Sequence, residues 1–322
     1  MNRINKLKLK FSAIINLIFI SNLTFKFSFI ILSISLFFSK PAFSFDEFLN
    51  SSRYNSMVGA GIASTSRLGM EDFGLINPAI LSTNADLVLA GGYADGKSQN
   101  QDISGYSVSI LDSTSGAWNS EKSEILQTTG FPLASILYYT NFDFGSFEDQ
   151  YFQLGVSQPL SSRISFGLSG NYSILKSSTV NENIFDLGAG FLWHAFEQWT
   201  FGLSAMHLLD RRDEFVPGYL RRALGAGIEY APSQSVKIRG DFWRARDASD
   251  QTQSVIKVGV TNSITENFLL QFGFADDKTI DSKVIGMGFI LAGPKLSLSY
   301  ALKRETSYSG LLHSVDIRLP VW

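Results

Sequence analysis

Few residues in this chain of 322 residues carry side chains suited to acid–base, nucleophilic or metal chemistry. There are three histidines, His194, His207 and His313, and there is no cysteine. No two histidines stand at the i, i+2 or i, i+4 spacing that lets a pair hold one metal ion. His313 and Ser314 are neighbours, so in a strand they point to opposite faces and cannot act as base and nucleophile. The spacing predicts no metal site and no nucleophile–base pair at His313.

The other two histidines lie in segments whose polar and apolar residues alternate. His207 shares a face with Phe201 and Leu203, which predicts an interfacial position on the apolar side. His194 shares the polar face with Asp186, and no nucleophile is placed near it. We therefore expect no enzymatic activity and no cofactor.

Charged residues are sparse on the polar faces of these segments, and most of them fall in the second half of the chain. They are Glu229, Lys237, Arg239, Asp241, Lys257, Asp316 and Arg318. One interpretation is that they pair with each other or with residues enclosed by the strands. The alternative is a binding site for a charged ligand.

The elements that carry these residues are strands with a period of two. Residues 163–176 show it most clearly, since Ile164, Phe166 and Leu168 alternate with Ser165 and Ser169. About fourteen such segments start near residues 86, 102, 132, 150, 163, 183, 198, 220, 235, 253, 267, 281, 295 and 311. Many last about ten residues, which is the length that crosses a bilayer at a tilt. The pattern predicts an all-β fold, an antiparallel transmembrane β-barrel over residues 86–322.

The composition favours a barrel in lipid over a soluble sandwich or a lipocalin-like barrel. Charged residues make up 17% of the chain, against about a quarter in soluble domains. The polar faces consist mainly of Ser, Gly, Asn and Thr, with too little charge for an outer wall in water. The apolar faces are therefore expected to contact lipid and the polar faces to enclose a lumen.

Glycine recurs on the polar faces, at Gly155, Gly167, Gly188, Gly190, Gly202, Gly225, Gly227, Gly259, Gly273, Gly286 and Gly288. Six of these, Gly188, Gly190, Gly225, Gly227, Gly286 and Gly288, are singled out as lumen glycines. Glycine weakens a strand and often marks the close approach of another group. The two interpretations are relief of curvature in the wall and close packing of a plug or an elongated ligand against it.

The first 44 residues have the order of a secretory signal peptide. Residues 1–44 contain six Lys/Arg and no Asp/Glu, with an apolar run at 27–38 and small residues before a cut ahead of Phe45. A retained anchor helix is the alternative. Removal leaves 21 basic and 29 acidic residues, so nucleic acid is not expected as a partner. The expected location is the outer membrane of a diderm bacterium, in contact with its lipid.

The connections between strands are predicted to alternate in length. Short turns occur near 159–162, 196–198, 232–234, 265–267 and 293–294, and longer links near 177–182, 210–219, 247–252, 276–281 and 304–310. Outer-membrane barrels have short periplasmic turns and longer outer loops. The last alternating strand ends in an aromatic residue, Trp322, on the short-turn side.

Residues 45–85 lack the alternation and carry an ordered set of motifs, namely Gly59 with Gly61, Glu71 with Asp72, and Asn77-Pro78-Ala79. Because proline has no N–H and fixes φ, Asn77-Pro78 favours a turn over a ladder strand. The set resembles the start of the long-chain fatty acid transporter (FadL-like) superfamily, and the PorV/PorQ family of type IX secretion systems shares that opening. The resemblance implies a hatch inside a fourteen-stranded barrel. A disordered or surface extension is the alternative.

The function implied by the resemblance is passive transport of hydrophobic or small solutes, gated by this hatch. The outer links are short, which leaves little material for a capture groove and favours a PorV/PorQ-like barrel that binds secreted or periplasmic proteins. A purely structural barrel is the third hypothesis.

Overall fold

The structure, a computed structural model, describes residues 51, 55–84, 86–98, 101–114, 133–145, 147–177, 181–209, 222–246, 252–278, 282–306 and 310–321. The predicted signal peptide at residues 1–44 lies outside these residues, as does Trp322. Among the described residues, no helix has both the length and the apolar composition needed to cross a bilayer.

Fourteen strands account for most of the described chain. They are β1 (Leu87–Ser98), β2 (Gln101–Asp112), β3 (Ala134–Asp143), β4 (Phe147–Ser161), β5 (Ile164–Ser177), β6 (Asn181–Phe196), β7 (Trp199–Met206), β8 (Ala223–Tyr230), β9 (Val236–Arg246), β10 (Thr252–Thr265), β11 (Phe268–Asp277), β12 (Ser282–Ala292), β13 (Ser297–Glu305) and β14 (Leu311–Pro320). The predicted starts agree closely with these, the largest differences being 150 against 147 and 220 against 223.

The strands form one closed antiparallel barrel in which each strand pairs with its neighbours in the sequence. The ring closes because β1 pairs on one side with β2 and on the other with β14; Leu89, for example, stands opposite both Ile110 and Leu319. Closure leaves no strand edge unpaired, which a sheet in lipid requires. The predicted fold class is confirmed.

The outer surface of the barrel is apolar, as the alternation predicts. On β5, Phe166 and Leu168 are exposed on the outside while Ser165 and Ser169 are buried inside. Aromatic side chains gather on the outer surface near both ends of the barrel. We call the end where β1 starts and β14 finishes the lower end, and the opposite end the upper end. At the lower end, the rings of Trp199 and Tyr230 stack with their centres 4.3 Å apart. Towards the upper end, aromatic rings also line the outside, Phe185 and Phe274 among them. Such girdles are typical of the two membrane interfaces.

The two ends differ less in connection length than expected. Residues 162–163, 197–198 and 266–267 are short turns at the lower end, as predicted. At the upper end the connection between β5 and β6 is only 178–180, where a longer link over 177–182 was expected. The difference arises because both strands extend further than their alternation indicates and take up the polar residues at their ends.

An inner segment, residues 55–84, lies inside the ring. It contains a short helix at Met70–Phe73 and a 3₁₀ turn at Pro78–Ser82. Its side chains are mostly buried. It contacts the inward faces of strands on opposite sides of the ring, for example β4 at Gln153 and β11 at Gly273. A segment that meets the inner faces of strands on opposite sides of a closed ring must cross the lumen.

Candidate functional site

The inner segment meets the wall along a path of glycines. At nine inward-facing positions, an added Cβ would lie closer than 3.0 Å to an atom of the segment. We call these the glycine track: Gly167, Gly190, Gly202, Gly225, Gly227, Gly259, Gly273, Gly286 and Gly288. Cβ atoms do not approach other heavy atoms this closely, so only glycine lets the segment take this path.

Several glycines of the track stand directly opposite each other on neighbouring strands. Gly167 pairs with Gly190 and Gly202 with Gly227. Gly273 stands between two others, opposite Gly259 on one side and Gly286 on the other. Each pairing removes adjacent Cβ atoms from the inner surface, and the backbone of the segment fills the space. Met57 occupies the space at Gly273, and Pro78 that at Gly167.

Five of the six predicted lumen glycines belong to the track. Gly188 does not, because its added Cβ would meet Ser169 and the carbonyl of Ala205, both in the wall itself. At five of these positions the inner segment packs closely against the glycine, whereas at Gly188 the neighbouring strands of the wall do. Sequence alone cannot separate the two roles, since both place glycine on the inward face.

Two glycines of the inner segment itself, Gly59 and Gly61, belong to the motifs of the predicted hatch. Gly59 has φ of 75°, a left-handed conformation that glycine adopts without strain. A Cβ on Gly61 would run into the ring of Phe73, so this position allows the chain to pass against the short helix. Both roles concern how the segment folds on itself.

On β8 and β9, buried charged residues bind the first half of the segment. The carboxylate of Asp241 accepts hydrogen bonds from the backbone amides of Gly61 at 2.6 Å and Ile62 at 3.0 Å. Glu229 accepts from the amide of Thr65 at 3.3 Å, and it also contacts the Thr65 hydroxyl. Hydrogen bonds to an ionised acceptor are among the stronger ones in proteins.

Basic residues complete this cluster. Arg239 donates to Glu229 at 2.6 Å, and Lys237 Nζ lies 3.8 Å from the same carboxylate. The Arg239 guanidinium also lies 5.4 Å from the centre of the Phe73 ring. We call Glu229, Lys237, Arg239 and Asp241 the charged anchor. These predicted lumen charges pair with each other and with the enclosed segment.

Two further predicted lumen charges, Lys257 and Asp316, are buried on the inner face of the wall. Lys257 is buried, stands opposite Asp241 on the neighbouring strand, and has its ammonium 5.9 Å from the Trp243 ring centre. Asp316 is buried on β14, opposite Gly92 of β1.

A second ionic cluster holds the segment to β14 near the lower end. Arg318 Nε lies 3.1 Å from Glu71, and Arg318 Nη2 lies 3.2 Å from Asp86. Arg67 donates through Nε and Nη2 to the same Asp86 carboxylate, at 2.9 and 2.7 Å. This hydrogen bonding raises the pKa of Arg67 above its ordinary value. Asp72, the second acidic residue of the predicted pair, is buried beside Glu71 in the short helix.

Arg67 and Asp86 were not predicted as site residues. Their signal in the sequence is only positional, because Asp86 is the last residue before β1 and Arg67 is the one basic residue between Arg53 and Lys97. Beside them is a cavity of about 780 Å³, open to one side, whose lining includes Arg67, Leu68, Lys295 and Arg318.

Neutral groups bind the second half of the segment to β4, β5 and β7; on β7, Ser204 donates to the carbonyl of Ile76. Ser157 and Ser165 donate to the carbonyl of Ala79 at 3.2 and 2.8 Å. Gln153 donates to the carbonyl of Leu75 at 3.1 Å. We call residues 75–82 with these partners the neutral half; the ion pair of Glu71 with Arg318 lies outside it.

The predicted Asn77-Pro78-Ala79 motif lies at the centre of the neutral half. Asn77 Oδ1 accepts from the amide of Ala79 at 3.1 Å and starts the 3₁₀ turn. Its Nδ2 donates to the carbonyls of Ile62 at 2.6 Å and Phe191 at 3.3 Å. Asn77 therefore joins both halves of the segment to the wall.

The histidines depart from expectation in one respect. His207 does not face outward, since its Nδ1 lies 2.8 Å from Asp186 and both side chains are nearly buried. His207 has φ of 55° just after β7, which breaks the alternation on which the prediction rested. His194 contacts Thr200 instead of Asp186. Among the described residues, no group of three His, Asp or Glu could hold a metal ion.

These features define a fourteen-stranded transmembrane β-barrel whose lumen is crossed by its own N-terminal segment. Neither a protein-family model nor a curated protein matches the sequence. Solved structures do match.

The CymD monoaromatic hydrocarbon channel is 13% identical with a TM-score of 0.59, over 86% of this chain and 99% of that one. The P. putida toluene transporter TodX is 10% identical with a TM-score of 0.56, over 87% and 97%. A Pseudomonas aeruginosa FadL homologue is 10% identical with a TM-score of 0.53, over 84% and 98%. The chain therefore has the fold of the FadL-like outer-membrane barrels.

Proposed function

We propose that this protein is an outer-membrane barrel for the passive transport of hydrophobic or small solutes, and that its inner segment is the gate. The single observation that carries the proposal is the glycine track, which shapes the wall to hold a removable piece of chain. A barrel with only a structural role has no need to keep nine inward positions free of side chains.

The contacts support movement of one half of the segment. The charged anchor binds residues 57–65 through buried carboxylates, whereas the neutral half is bound through serine and glutamine donors to backbone carbonyls. Neutral hydrogen bonds of this kind contribute about 0.5–1.5 kcal/mol each, and those to charged groups about 1.5–3 kcal/mol. The neutral half is the part that moves in this proposal.

The chemistry of the interface supports a hydrophobic solute. The segment and the wall share a continuous apolar cluster, which includes Phe73, Ile80 and Leu81 from the segment and Ile136 and Trp243 from the wall. Displacing the neutral half would expose this apolar surface inside the lumen. The similar structures named above include channels for toluene and for monoaromatic hydrocarbons.

Deletion of residues 55–82 tests the gate in reconstituted bilayers. We expect higher single-channel conductance and faster uptake of small polar solutes by liposomes, since the lumen is no longer crossed. Heat-modifiable migration on gels, which reports a closed barrel, is the control for assembly. Unchanged conductance in an assembled barrel would contradict the gate.

Export by a cleaved signal peptide belongs to the same proposal. Mass spectrometry of protein purified from the outer membrane should give a chain that starts at Phe45. A chain that retains residues 1–44 would contradict cleavage.

A PorV/PorQ-like barrel that binds secreted or periplasmic proteins is the second candidate. The observation that favours it is the brevity of the upper connections after β1, β3 and β5, which span 99–100, 144–146 and 178–180. They offer little chain for a solute-capture groove. Extraction in mild detergent separates the candidates, because stable co-purification of secreted proteins favours this one and bound apolar molecules favour transport.

A further inference from the structure

Charge is divided unevenly around the upper end of the barrel. The upper parts of β1 to β6 carry mainly acidic residues, namely Asp95, Asp102, Asp143, Glu148, Asp149, Glu182 and Asp186, with Lys97 and Lys176 as their basic residues. The upper parts of β8 to β13, with the residues before β8 and after β11, carry mainly basic ones, namely Arg222, Arg244, Lys278, Lys283, Lys303 and Arg304, with Asp276 and Glu305 among their acidic residues. A positively charged solute is therefore attracted to the β1–β6 side.

On the acidic side, Asp149 and Asp186 both point into the lumen, and Asp186 pairs with His207. Asp149 occupies a buried position in the alternation of β4 and is 1% exposed, whereas the neighbouring Glu148 faces outward. Neither carboxylate oxygen of Asp149 has a hydrogen-bond partner among the residues that the structure describes. Glu148, in contrast, accepts from Asn141 at 3.0 Å and from Gln150 at 3.1 Å.

The surroundings of Asp149 are apolar. Phe142 on β3 and Leu175 on β5 stand directly opposite it, and Tyr151 is the next inward residue on β4. Phe142 stacks on Phe144 with ring centres 5.4 Å apart. Aromatic rings beside a carboxylate are a favourable environment for an organic cation.

The basic side chains near the upper ends of β1 and β5, Lys97 and Lys176, point away from Asp149. Lys97 lies 3.5 Å from Asp102, and both side chains are exposed. Lys176 occupies an outward, exposed position of β5. A buried carboxylate without a cation or a donor is costly, so its natural partner is a group that a solute brings.

We infer that Asp149 is a binding site for solutes that carry a protonated amine on an apolar or aromatic body. The ammonium binds the carboxylate, and the body packs on Phe142, Leu175 and Tyr151. The inference rests on the proposed transport function and specifies one class of its solutes. Asp149 lies above the contacts of the inner segment with Gln153 and Gly155 of the same strand. The site therefore lies between the upper end of the barrel and the contacts of the inner segment on β4.

Three probes of similar size test it on the full-length protein in detergent: toluene, benzyl alcohol and benzylamine at neutral pH. By calorimetry, benzylamine should bind the wild type at least about tenfold more tightly than benzyl alcohol, since a hydrogen bond to a charged group is worth that much. Asp149→Asn should remove the difference. Glu148→Gln, the matched control one residue away on the outer face, should keep it.

The possible results distinguish failure of the Asp149 site from failure of the proposed transport function. Equal binding of amine and alcohol by the wild type, or an amine preference that survives Asp149→Asn, overturns the inference. Toluene uptake by liposomes then still supports the proposed function. An amine preference that depends on Asp149 without any toluene uptake supports the site and contradicts a hydrocarbon cargo. Heat-modifiable migration of each variant confirms that its barrel is assembled.

Discussion

The two halves of the inner segment are held in different ways by the same wall. The first half meets buried carboxylates on β8 and β9, with Asp241 binding two successive amides. The second half meets serine and glutamine side chains on β4, β5 and β7, which donate to its carbonyls. Both halves cross the glycine track. The close fit to the glycines is therefore common to both halves. The difference in how strongly each half is attached comes from the charge of the wall side chains that bind it.

We therefore expect the first half of the segment to stay fixed and the neutral half to move. Breaking a contact to a buried ion leaves the partner charge without compensation. Breaking a neutral contact releases groups that water or a solute can satisfy. The following predictions test this difference between the halves, starting with the largest expected effect.

A disulfide that locks the neutral half should abolish uptake. The hydroxyls of Ser82 and Ser157 lie 3.0 Å apart, and the chain has no cysteine of its own. Oxidised Ser82→Cys/Ser157→Cys should block apolar solute uptake by liposomes, and reduction should restore it. The matched lock, Asn55→Cys/Ser314→Cys, joins groups 3.2 Å apart at the start of the segment and should leave uptake unchanged. Blockage by both locks, or by neither, would remove the distinction between the halves.

Loss of the Glu229 charge should destabilise the barrel strongly. Glu229→Gln leaves Arg239 buried without its ionic partner, and such a change costs about 3–5 kcal/mol. Urea unfolding of the protein in lipid vesicles measures this. A cost under about 1 kcal/mol, typical of exposed ion pairs, would show that the charged anchor contributes little.

A methyl group on the glycine track should have an intermediate effect. Gly273→Ala places a Cβ against the backbone of Met57, and overpacking of this kind costs about 1–3 kcal/mol. Gly240→Ala is the control, because its nearest atom is 3.7 Å away on Ile228. Equal unfolding free energies of the two variants would argue that the segment does not press on the wall.

Removal of one neutral contact should have the smallest effect on stability. Ser165→Ala loses a single hydrogen bond to the carbonyl of Ala79, worth about 0.5–1.5 kcal/mol. Since it loosens the movable half, uptake should rise while unfolding in urea changes little. A fall in uptake would indicate that the serine guides the solute and does not hold the gate.

Much of this architecture was predictable because strands reveal themselves locally. The apolar residues of β5 and β11 recur at every second position, so the number of strands, their approximate starts and their outward faces follow from short stretches of sequence. The extended ends of β5 and β6 were not predictable in this way, since their polar residues resemble loop residues. The break in alternation at His207 also escaped prediction, because a left-handed residue shifts the face that the following side chains share.

Which side of each strand faces lipid follows from the sequence alone, because the apolar residues recur at every second position of each strand. The lack of alternation also distinguishes residues 45–85 from the strands of the wall. The contacts of the inner segment with the wall, in contrast, follow from the closed ring of strands. Gly61 and Asp241 are 180 positions apart, and their hydrogen bond exists because ring closure brings the inner faces of distant strands around one segment. A pattern confined to neighbouring residues contains no information about such a distance.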